Sequence, residues 1–219
     1  MTCITPRIRR FPAALLLLLL GWISHPVPVA RAEVYLNPGA TILFYGNSMV
    51  ERLCEQGELE AWIQLAYPER KLHFRSLAWT GDEVGYRLRP EGYEEHLKTL
   101  LKQWPANVLV IGYGMNEAFG GAAGLDDFRS QLDTHLDQLE RQHPGAKFVL
   151  LSPTLAEAGV PGQDSAARNR DIAAYAQVIG EAARTRGAIY VDLTRGNPEA
   201  QARLGGPLTV NGLHLSDAA

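Results

Sequence analysis

Five short apolar runs separated by amphipathic stretches are the feature that most limits how this chain can fold. Continuous apolar runs indicate strands that are buried on both faces, and the amphipathic stretches between them supply helices to cover those faces. The pattern predicts a three-layer α/β/α fold with a five-stranded parallel sheet, in the flavodoxin-like arrangement. The predicted strands are residues 41–45, 72–78, 108–111, 148–151 and 188–193.

Helical spacing of apolar residues fills the intervals between these runs. The first helix is predicted over residues 50–66, with a break at its internal glycine. A later helix is predicted over residues 172–185, after a cap at Asp164 or Ser165. Residues 120–124 are all glycine or alanine, and we expect them to form a loop. No linker or repeat divides the chain, so the sequence predicts a single folded domain.

The N-terminal segment has a different composition from this domain. Three arginines precede an apolar stretch over residues 11–23, and an A-x-A cleavage site ends at Ala32. This order is typical of a secretory signal peptide, and the apolar stretch is shorter than the roughly 20 residues of a membrane span. We therefore expect a signal peptide at residues 1–32 and a mature domain at 33–219. The protein would be secreted or periplasmic, with no stable membrane insertion after cleavage.

Charge and cysteine content exclude several classes of protein. The formal net charge of the chain is −3, and removal of four arginines with the signal peptide leaves −7. Nucleic acid and anionic membranes require basic patches, so we expect neither as a partner. Cys54 alone remains after cleavage, and its helical, apolar surroundings predict a buried structural thiol. No set of side chains has metal-ligand spacing, and we expect no metal and no cofactor.

Residues that could take part in catalysis follow the predicted strands at the points where each strand ends. Ser48 follows the first strand, Gly81 the second and Asn116 the third, while His214 lies in the terminal loop. The carboxyl ends of parallel strands meet at one edge of the sheet, where α/β folds bind their ligands. A serine, a free backbone N–H, an amide and a histidine are the groups that acyl transfer requires: a nucleophile, oxyanion donors and a general base.

In this order along the chain, the four residues resemble the SGNH hydrolase superfamily, also called GDSL-type esterases and lipases. The resemblance extends from about residue 41 to the end and implies the SGNH hydrolase fold. It implies that Ser48 is the nucleophile that forms an acyl-enzyme and that His214 is its base. By the same resemblance, the oxyanion hole consists of the backbone N–H groups of Ser48 and Gly81 and the side-chain amide of Asn116.

Three positions depart from the family pattern. Asn47 stands where an aspartate usually precedes the serine, and Glu117 stands where an aspartate usually closes the third block. Asn211 lies three residues before His214, in the place of the family's catalytic aspartate. An amide orients a histidine but stabilises imidazolium less than a carboxylate does, so active, slow and inactive proteins all fit the sequence. Asp192, at the end of the fifth predicted strand, is a candidate substitute.

Each of these residues also has a purely structural interpretation. Ser48 suits a helix N-cap, Gly81 suits a turn that needs positive φ, and Asn116 suits a cap on the next helix. The presence of all four blocks favours catalysis over these separate roles. Asp82 and Glu83 adjoin the proposed oxyanion glycine and are weaker candidates for substrate contact. The remaining histidines of the domain are predicted to be surface or satisfied residues: His73, His96, His135 and His143.

The sequence therefore predicts a secreted serine esterase for a small-molecule or glycan ester, such as an O-acetyl group on carbohydrate. The alternative is a non-catalytic carbohydrate-binding or scaffold module that kept the fold after losing the triad acid. A nucleotide or flavin module would need a phosphate-cradling glycine motif, which the sequence lacks. Five residues follow His214 where the family continues into a final helix, and we expect a truncated form of a longer protein.

Cleavage of the predicted signal peptide can be tested directly. N-terminal sequencing of the exported protein should begin at Glu33, because signal peptidase cuts after an A-x-A site. The masses of the proteins in the soluble and membrane fractions provide the control for processing. Recovery of residues 1–32 on a membrane-bound protein would contradict the prediction.

Overall fold

The predicted signal peptide lies outside the residues that the computed structural model of the protein describes, which are 36–55, 57–196, 202–203 and 205–216. Five strands form one parallel sheet in the order β2-β1-β3-β4-β5. This confirms the predicted α/β fold with a five-stranded parallel sheet. The two edge strands are shorter than predicted. The strands are β1 Thr41–Gly46, β2 His73–Ser76, β3 Val108–Gly112, β4 Lys147–Leu151 and β5 Ile189–Val191.

Helices lie on both faces of the sheet. The helical region predicted over residues 50–66 is divided at the internal glycine, as expected, because Gly57 has a φ of 69°, a left-handed conformation. The last helix begins earlier than predicted, since the Asp164 side chain accepts a hydrogen bond from the Ala167 N–H and caps it there. The helices are α1 Ser48–Glu55, α2 Glu58–Ala66, α3 Tyr93–Gln103, α4 Leu125–Gln142 and α5 Ser165–Arg186.

Two apolar clusters, one on each face of the sheet, hold the three layers together. Successive residues of β1 alternate between them: Leu43 packs with α4 and α5, and Phe44 packs with α1 and α2. All six residues of β1 are buried, which explains its continuous apolar run. Cys54 packs against the second cluster, where burial raises the pKa of its thiol. The thiol is partly rather than fully buried.

The segment after β3 differs from the sequence prediction, which made residues 120–124 a loop. It forms the 3₁₀ helix Glu117–Gly124, kinked at Gly121 with φ 58° and ψ −155°. Tyr175 of α5 donates its hydroxyl hydrogen to the carbonyl oxygen of Gly121 at 3.0 Å. A Cβ atom on Gly124 would lie 2.5 Å from the same hydroxyl. The glycines thus allow this helix to pack closely against α5, a tertiary contact that the local sequence does not reveal.

A buried polar cluster fixes the segment that follows β2. His135 of α4 is buried, and the rings of Tyr45 and Tyr113 meet it edge-on. Arg87 Nη1 lies 3.1 Å from His135 Nδ1. Because a guanidinium can only donate, the imidazole nitrogen is the acceptor. Burial and the neighbouring arginine lower the pKa of His135 to about 3, so the ring is a neutral, satisfied core residue.

Replacement of His135 by glutamine should change how stability depends on pH. His135 stays neutral in the folded protein down to about pH 3, whereas the usual histidine pKa is 6.5. Below about pH 6.5 the unfolded chain therefore binds a proton that the folded chain does not, and stability falls by up to about 1.4 kcal/mol per pH unit. Denaturant titrations should show a larger loss for the wild type than for His135→Gln between neutral pH and about pH 4.

The matched control is His96→Gln, since His96 is exposed on α3. Its unfolding free energy should follow that of the wild type across the same pH range. An identical pH dependence for His135→Gln and the wild type would show that His135 does not titrate differently in the folded and unfolded states.

Candidate active site

The position of Ser48 depends on two glycines. Gly46 and Gly112 are paired at the carboxyl ends of β1 and β3. A Cβ atom on either glycine would lie 2.5 Å from the Val50 side chain. Their lack of a side chain therefore lets α1 begin directly against the edge of the sheet. Ser48, the first residue of α1, is held at this edge.

The hydrogen bond that caps α1 comes from Asn47 and not from Ser48. Asn47 Oδ1 accepts from the Met49 N–H at 3.1 Å, which is the usual capping bond. The structural interpretation of Ser48 as the N-cap is therefore wrong. Ser48 is 3% exposed, and within the described ranges no hydrogen bond involves its hydroxyl. The hydroxyl is thus free of any structural bond in this part of the chain.

Gly81 and Asn116, two of the predicted oxyanion donors, lie on separate loops. Gly81 follows β2 with a φ of 84°, a conformation that favours glycine. Asn116 follows β3, and its Nδ2 donates to the carbonyl oxygen of Asp82 at 2.9 Å. One N–H of the Asn116 amide thus holds the Gly81 loop, and its second N–H can donate to another acceptor. The side chain of Asn116 does not cap the following helix, so that interpretation is also wrong.

Carboxylates hold these two loops in place. Glu117 Oε1 accepts from the Val84 N–H, and its Oε2 accepts from the Gly114 N–H, both at 2.8 Å. Burial raises the pKa of Glu117. Asp82 is 3% exposed and forms a two-pronged ion pair with Arg89, in which one N–H···O distance is 2.7 Å. This pairing gives Asp82 a structural role, and its predicted contact with substrate stays a prediction.

His214 lies in the histidine loop, which we define as residues 208–216. Thr209 and Leu215 form an antiparallel bridge across this loop. Arg52 of α1 donates from Nη1 to the carbonyl oxygen of Leu215 at 3.0 Å. The loop that carries the predicted base is therefore attached to the helix that begins with the predicted nucleophile.

A buried glutamate anchors the histidine loop from the other side. The Glu157 carboxylate accepts from the N–H groups of Leu208 and Thr209 at 2.5 and 2.9 Å, and also from the Thr209 hydroxyl. The Glu157 N–H donates to the carbonyl oxygen of Gly212 at 2.9 Å. Sequence reasoning missed Glu157 because it lies outside the four motif blocks. Its partners come from a distant part of the chain, and no local pattern indicates them.

Asn211 contacts His214 at the nitrogen that the family's aspartate would orient. Asn211 Oδ1 lies 3.1 Å from His214 Nδ1, and Asn211 Nδ2 lies 2.9 Å from the same atom. If Oδ1 accepts, Nδ1 carries the proton and Nε2 can act as a base. If Nδ2 donates, Nε2 carries the proton and cannot. The choice of base-competent tautomer thus depends on one amide.

Two predicted partners of His214, Ser48 and Asp192, form no hydrogen bond with it among the described residues. No hydrogen bond between Ser48 and His214 occurs in the portion of the chain that the structure describes. Such bonds are often long in unliganded enzymes and tighten with substrate, so their catalytic assignment stays a prediction. Asp192, the candidate substitute acid, accepts from the Thr194 N–H at 3.1 Å and pairs with Arg195 at 2.9 Å. It caps the turn after β5, and its bonded partners do not include His214.

Among the residues with described positions, no group of three or more histidine, cysteine, aspartate and glutamate side chains could hold a metal ion. Within the same residues, no helix has both the length and the apolar character needed to cross a membrane.

The chain matches a family model in sequence and is similar to known esterases in fold. The GDSL-like lipase/acylhydrolase family model matches residues 44–219. An acetylxylan esterase from Geobacillus stearothermophilus is 15% identical, with 84% of this chain and 90% of that chain covered at a TM-score of 0.63. A GDSL-like protein from Parabacteroides merdae is 15% identical, with 84% and 92% covered at 0.66. The acetyl xylan esterase AlAXEase is 17% identical, with 81% and 92% covered at 0.60. No curated protein matches the chain.

Substitution of Glu157 by glutamine should loosen the histidine loop and lower turnover of a short acyl ester. Glutamine offers one acceptor oxygen and turns an NH₂ group toward backbone donors that the carboxylate now accepts from. A displacement of about 1 Å can cost about 100-fold in rate, and we expect kcat to fall at least about 10-fold. Glu58→Gln, at an exposed position of α2, should leave kcat unchanged. Unchanged turnover in Glu157→Gln would contradict the anchoring role.

Proposed function

The chain belongs to the GDSL-like lipase/acylhydrolase family, and from this membership together with the site geometry we propose that it is a serine esterase acting through Ser48. The family match confirms the resemblance to SGNH hydrolases and identifies the protein as an ester-hydrolysing enzyme. The observation that carries the serine mechanism is the free hydroxyl at the start of α1. It follows β1, which lies between the strands that precede Gly81 and Asn116.

In the proposed mechanism, Ser48 Oγ attacks the ester carbonyl while His214 Nε2 takes the serine proton. The carbonyl oxygen becomes an oxyanion that accepts from the backbone N–H groups of Ser48 and Gly81 and from Asn116 Nδ2. The Ser48 N–H is suited to this role because the first N–H groups of a helix have no intrahelical acceptor. Collapse releases the alcohol, which takes the proton from His214. A water activated by His214 then hydrolyses the acyl-enzyme.

Asn211 supports this mechanism by its orientation. Its Oδ1 accepts from the N–H groups of Leu213 and His214 at 3.3 and 3.0 Å, which fixes the oxygen on the side of the backbone donors. The same oxygen is within reach of His214 Nδ1 and favours the base-competent tautomer. An amide contributes no negative charge, so we propose that imidazolium is less stabilised than in a family member with aspartate.

We propose that the substrate is a small-molecule or glycan ester, with an O-acetyl group on carbohydrate as the leading case. Two of the similar structures are acetylxylan esterases, and catalytic mutants of the Geobacillus protein replace an aspartate or a serine by alanine. Trp79 lies directly before the Gly81 loop and is 48% exposed, with Arg89 4.9 Å from its ring centre. Such a fixed aromatic face suits contact with a sugar ring. Secretion through the predicted signal peptide would bring the enzyme to extracellular glycans.

The second candidate is a non-catalytic carbohydrate-binding or scaffold module. The observation that favours it is the 2.9 Å contact between Asn211 Nδ2 and His214 Nδ1. A hydrogen bond in that direction would leave the proton on Nε2 and remove the general base. The enzyme and the module therefore differ in whether Ser48 is activated.

Variants of the proposed triad separate these functions. Ser48→Ala and His214→Ala should each abolish hydrolysis of a short acyl ester, because one removes the nucleophile and the other the base. Asn211→Ala should cost far less, since the amide orients imidazole without charge stabilisation. Asn211→Asp should raise turnover, because a carboxylate favours imidazolium and fixes the tautomer. The measurement is turnover against pH, with folding checked by circular dichroism.

Labelling with a fluorophosphonate probe provides the control. The wild type should label, Ser48→Ala should not, and Ser130→Ala should label like the wild type because Ser130 is an exposed serine of α4. No labelling and no turnover in the wild type or Asn211→Asp would contradict the catalytic assignment. A wild type without esterase activity, together with an active Asn211→Asp variant, would favour the binding module.

A further inference from the structure

One carboxylate bridges the two loops that bear the proposed oxyanion donors. We infer that Glu117 is a positioning residue that sets the distance between Gly81 and the amide of Asn116. The inference rests on the proposed esterase function and adds a residue to it. Glu117 is also the position where the sequence departs from the family's usual aspartate in the third block.

The sheet topology explains why such a bridge is needed. β1 lies between β2 and β3, so no backbone ladder joins the strand before Gly81 to the strand before Asn116. An oxyanion hole needs its donors within about 0.5 Å of their productive positions. Because backbone pairing cannot fix this spacing directly, side chains must link the two loops.

The contacts of Glu117 supply that link. Its Oε2 accepts from Gly114, two residues before Asn116, and its Oε1 accepts from Val84, three residues after Gly81, both at 2.8 Å. A second link in this region is the bond from Asn116 Nδ2 to the Asp82 carbonyl oxygen at 2.9 Å. That second bond uses the proposed oxyanion donor itself. The carboxylate bridge therefore fixes the loops independently of the reacting amide.

The length of the glutamate side chain and its two acceptor oxygens both matter for this bridge. An aspartate is shorter by one carbon–carbon bond, about 1.5 Å, and cannot keep both bonds at their present length. A glutamine keeps the length but has a single acceptor oxygen, so one of the two N–H groups would face an NH₂ donor. Each substitution therefore removes about half of the bridge without deleting a core side chain.

The alternative is that Glu117 only stabilises the fold. In that case the variants would lose melting temperature and activity together, and the affinity of the folded protein for a transition-state mimic would not change. A short alkyl boronic acid is a suitable mimic, because its tetrahedral adduct with Ser48 places an oxygen in the oxyanion hole. A positioning role weakens this binding in proportion to kcat.

The experiment compares Glu117→Asp and Glu117→Gln with the wild type, and with Glu58→Gln as the exposed control. We expect kcat on a short acyl ester to fall about 10- to 100-fold, with KM within about twofold. The dissociation constant of the boronic acid should rise by a similar factor, measured well below the melting temperature. Unchanged kcat in both variants would overturn the inference. Loss of activity only in proportion to unfolding would also overturn it.

Amide hydrogen exchange distinguishes this inference from the proposed function. The Val84 and Gly114 amides report the bridge itself, and one or both should exchange at least about tenfold faster in Glu117→Gln than in the wild type. Unchanged exchange at both amides would show that no bridge exists. A wild type that neither hydrolyses esters nor reacts with the fluorophosphonate probe would contradict the proposed function and the catalytic part of this inference. Amide exchange would still decide whether Glu117 joins the two loops.

Discussion

The close approach of α1 to the paired glycines Gly46 and Gly112 is the contact on which the site depends. Val50 occupies the space that a Cβ atom on either glycine would need. This packing fixes where α1 begins, and therefore where the backbone N–H and hydroxyl of Ser48 lie. The loops after β2 and β3 lie on either side of this point because β1 lies between β2 and β3 in the sheet. A side chain at either glycine would displace the start of α1 and separate Ser48 from both loops.

The loops around this point are held by buried carboxylates in place of regular secondary structure. Glu117 joins the loops that bear the two proposed oxyanion donors, Glu157 joins the histidine loop to the segment after β4, and Asp82 pairs with Arg89. A buried charge is costly unless it is bonded, and each of these carboxylates accepts several hydrogen bonds. These supporting bonds leave the hydroxyl of Ser48 unbonded within the described residues, as its proposed role of nucleophile requires.

Whether a feature of the fold or of the candidate site could be predicted from the sequence depends on how far apart its interacting residues lie along the chain. The apolar runs identified all five strands, because a buried strand appears in the sequence as a continuous apolar segment. The contact between Asn211 and His214 was also accessible, because the residues are three positions apart and the amide bonds to the backbone within one turn. The bonds of Glu157 to Leu208 and Thr209 span about 50 residues, and no local pattern encodes them. The packing of Gly124 on Tyr175 escaped prediction for the same reason.

The substitution of asparagine for the usual acid changes electrostatics more than geometry. Oδ1 of Asn211 accepts backbone N–H groups that would equally well hold a carboxylate, so the turn that places the side chain is the same for either residue. Nδ2 of Asn211 lies 2.9 Å and Oδ1 lies 3.1 Å from His214 Nδ1, and neither atom carries the negative charge of a carboxylate. In the proposed mechanism the imidazolium of His214 therefore forms beside a neutral amide, which stabilises it less than an aspartate would. Within that proposed mechanism, proton transfer from Ser48 to His214, and not oxyanion stabilisation, is the step at which this chain differs most from a family member with aspartate.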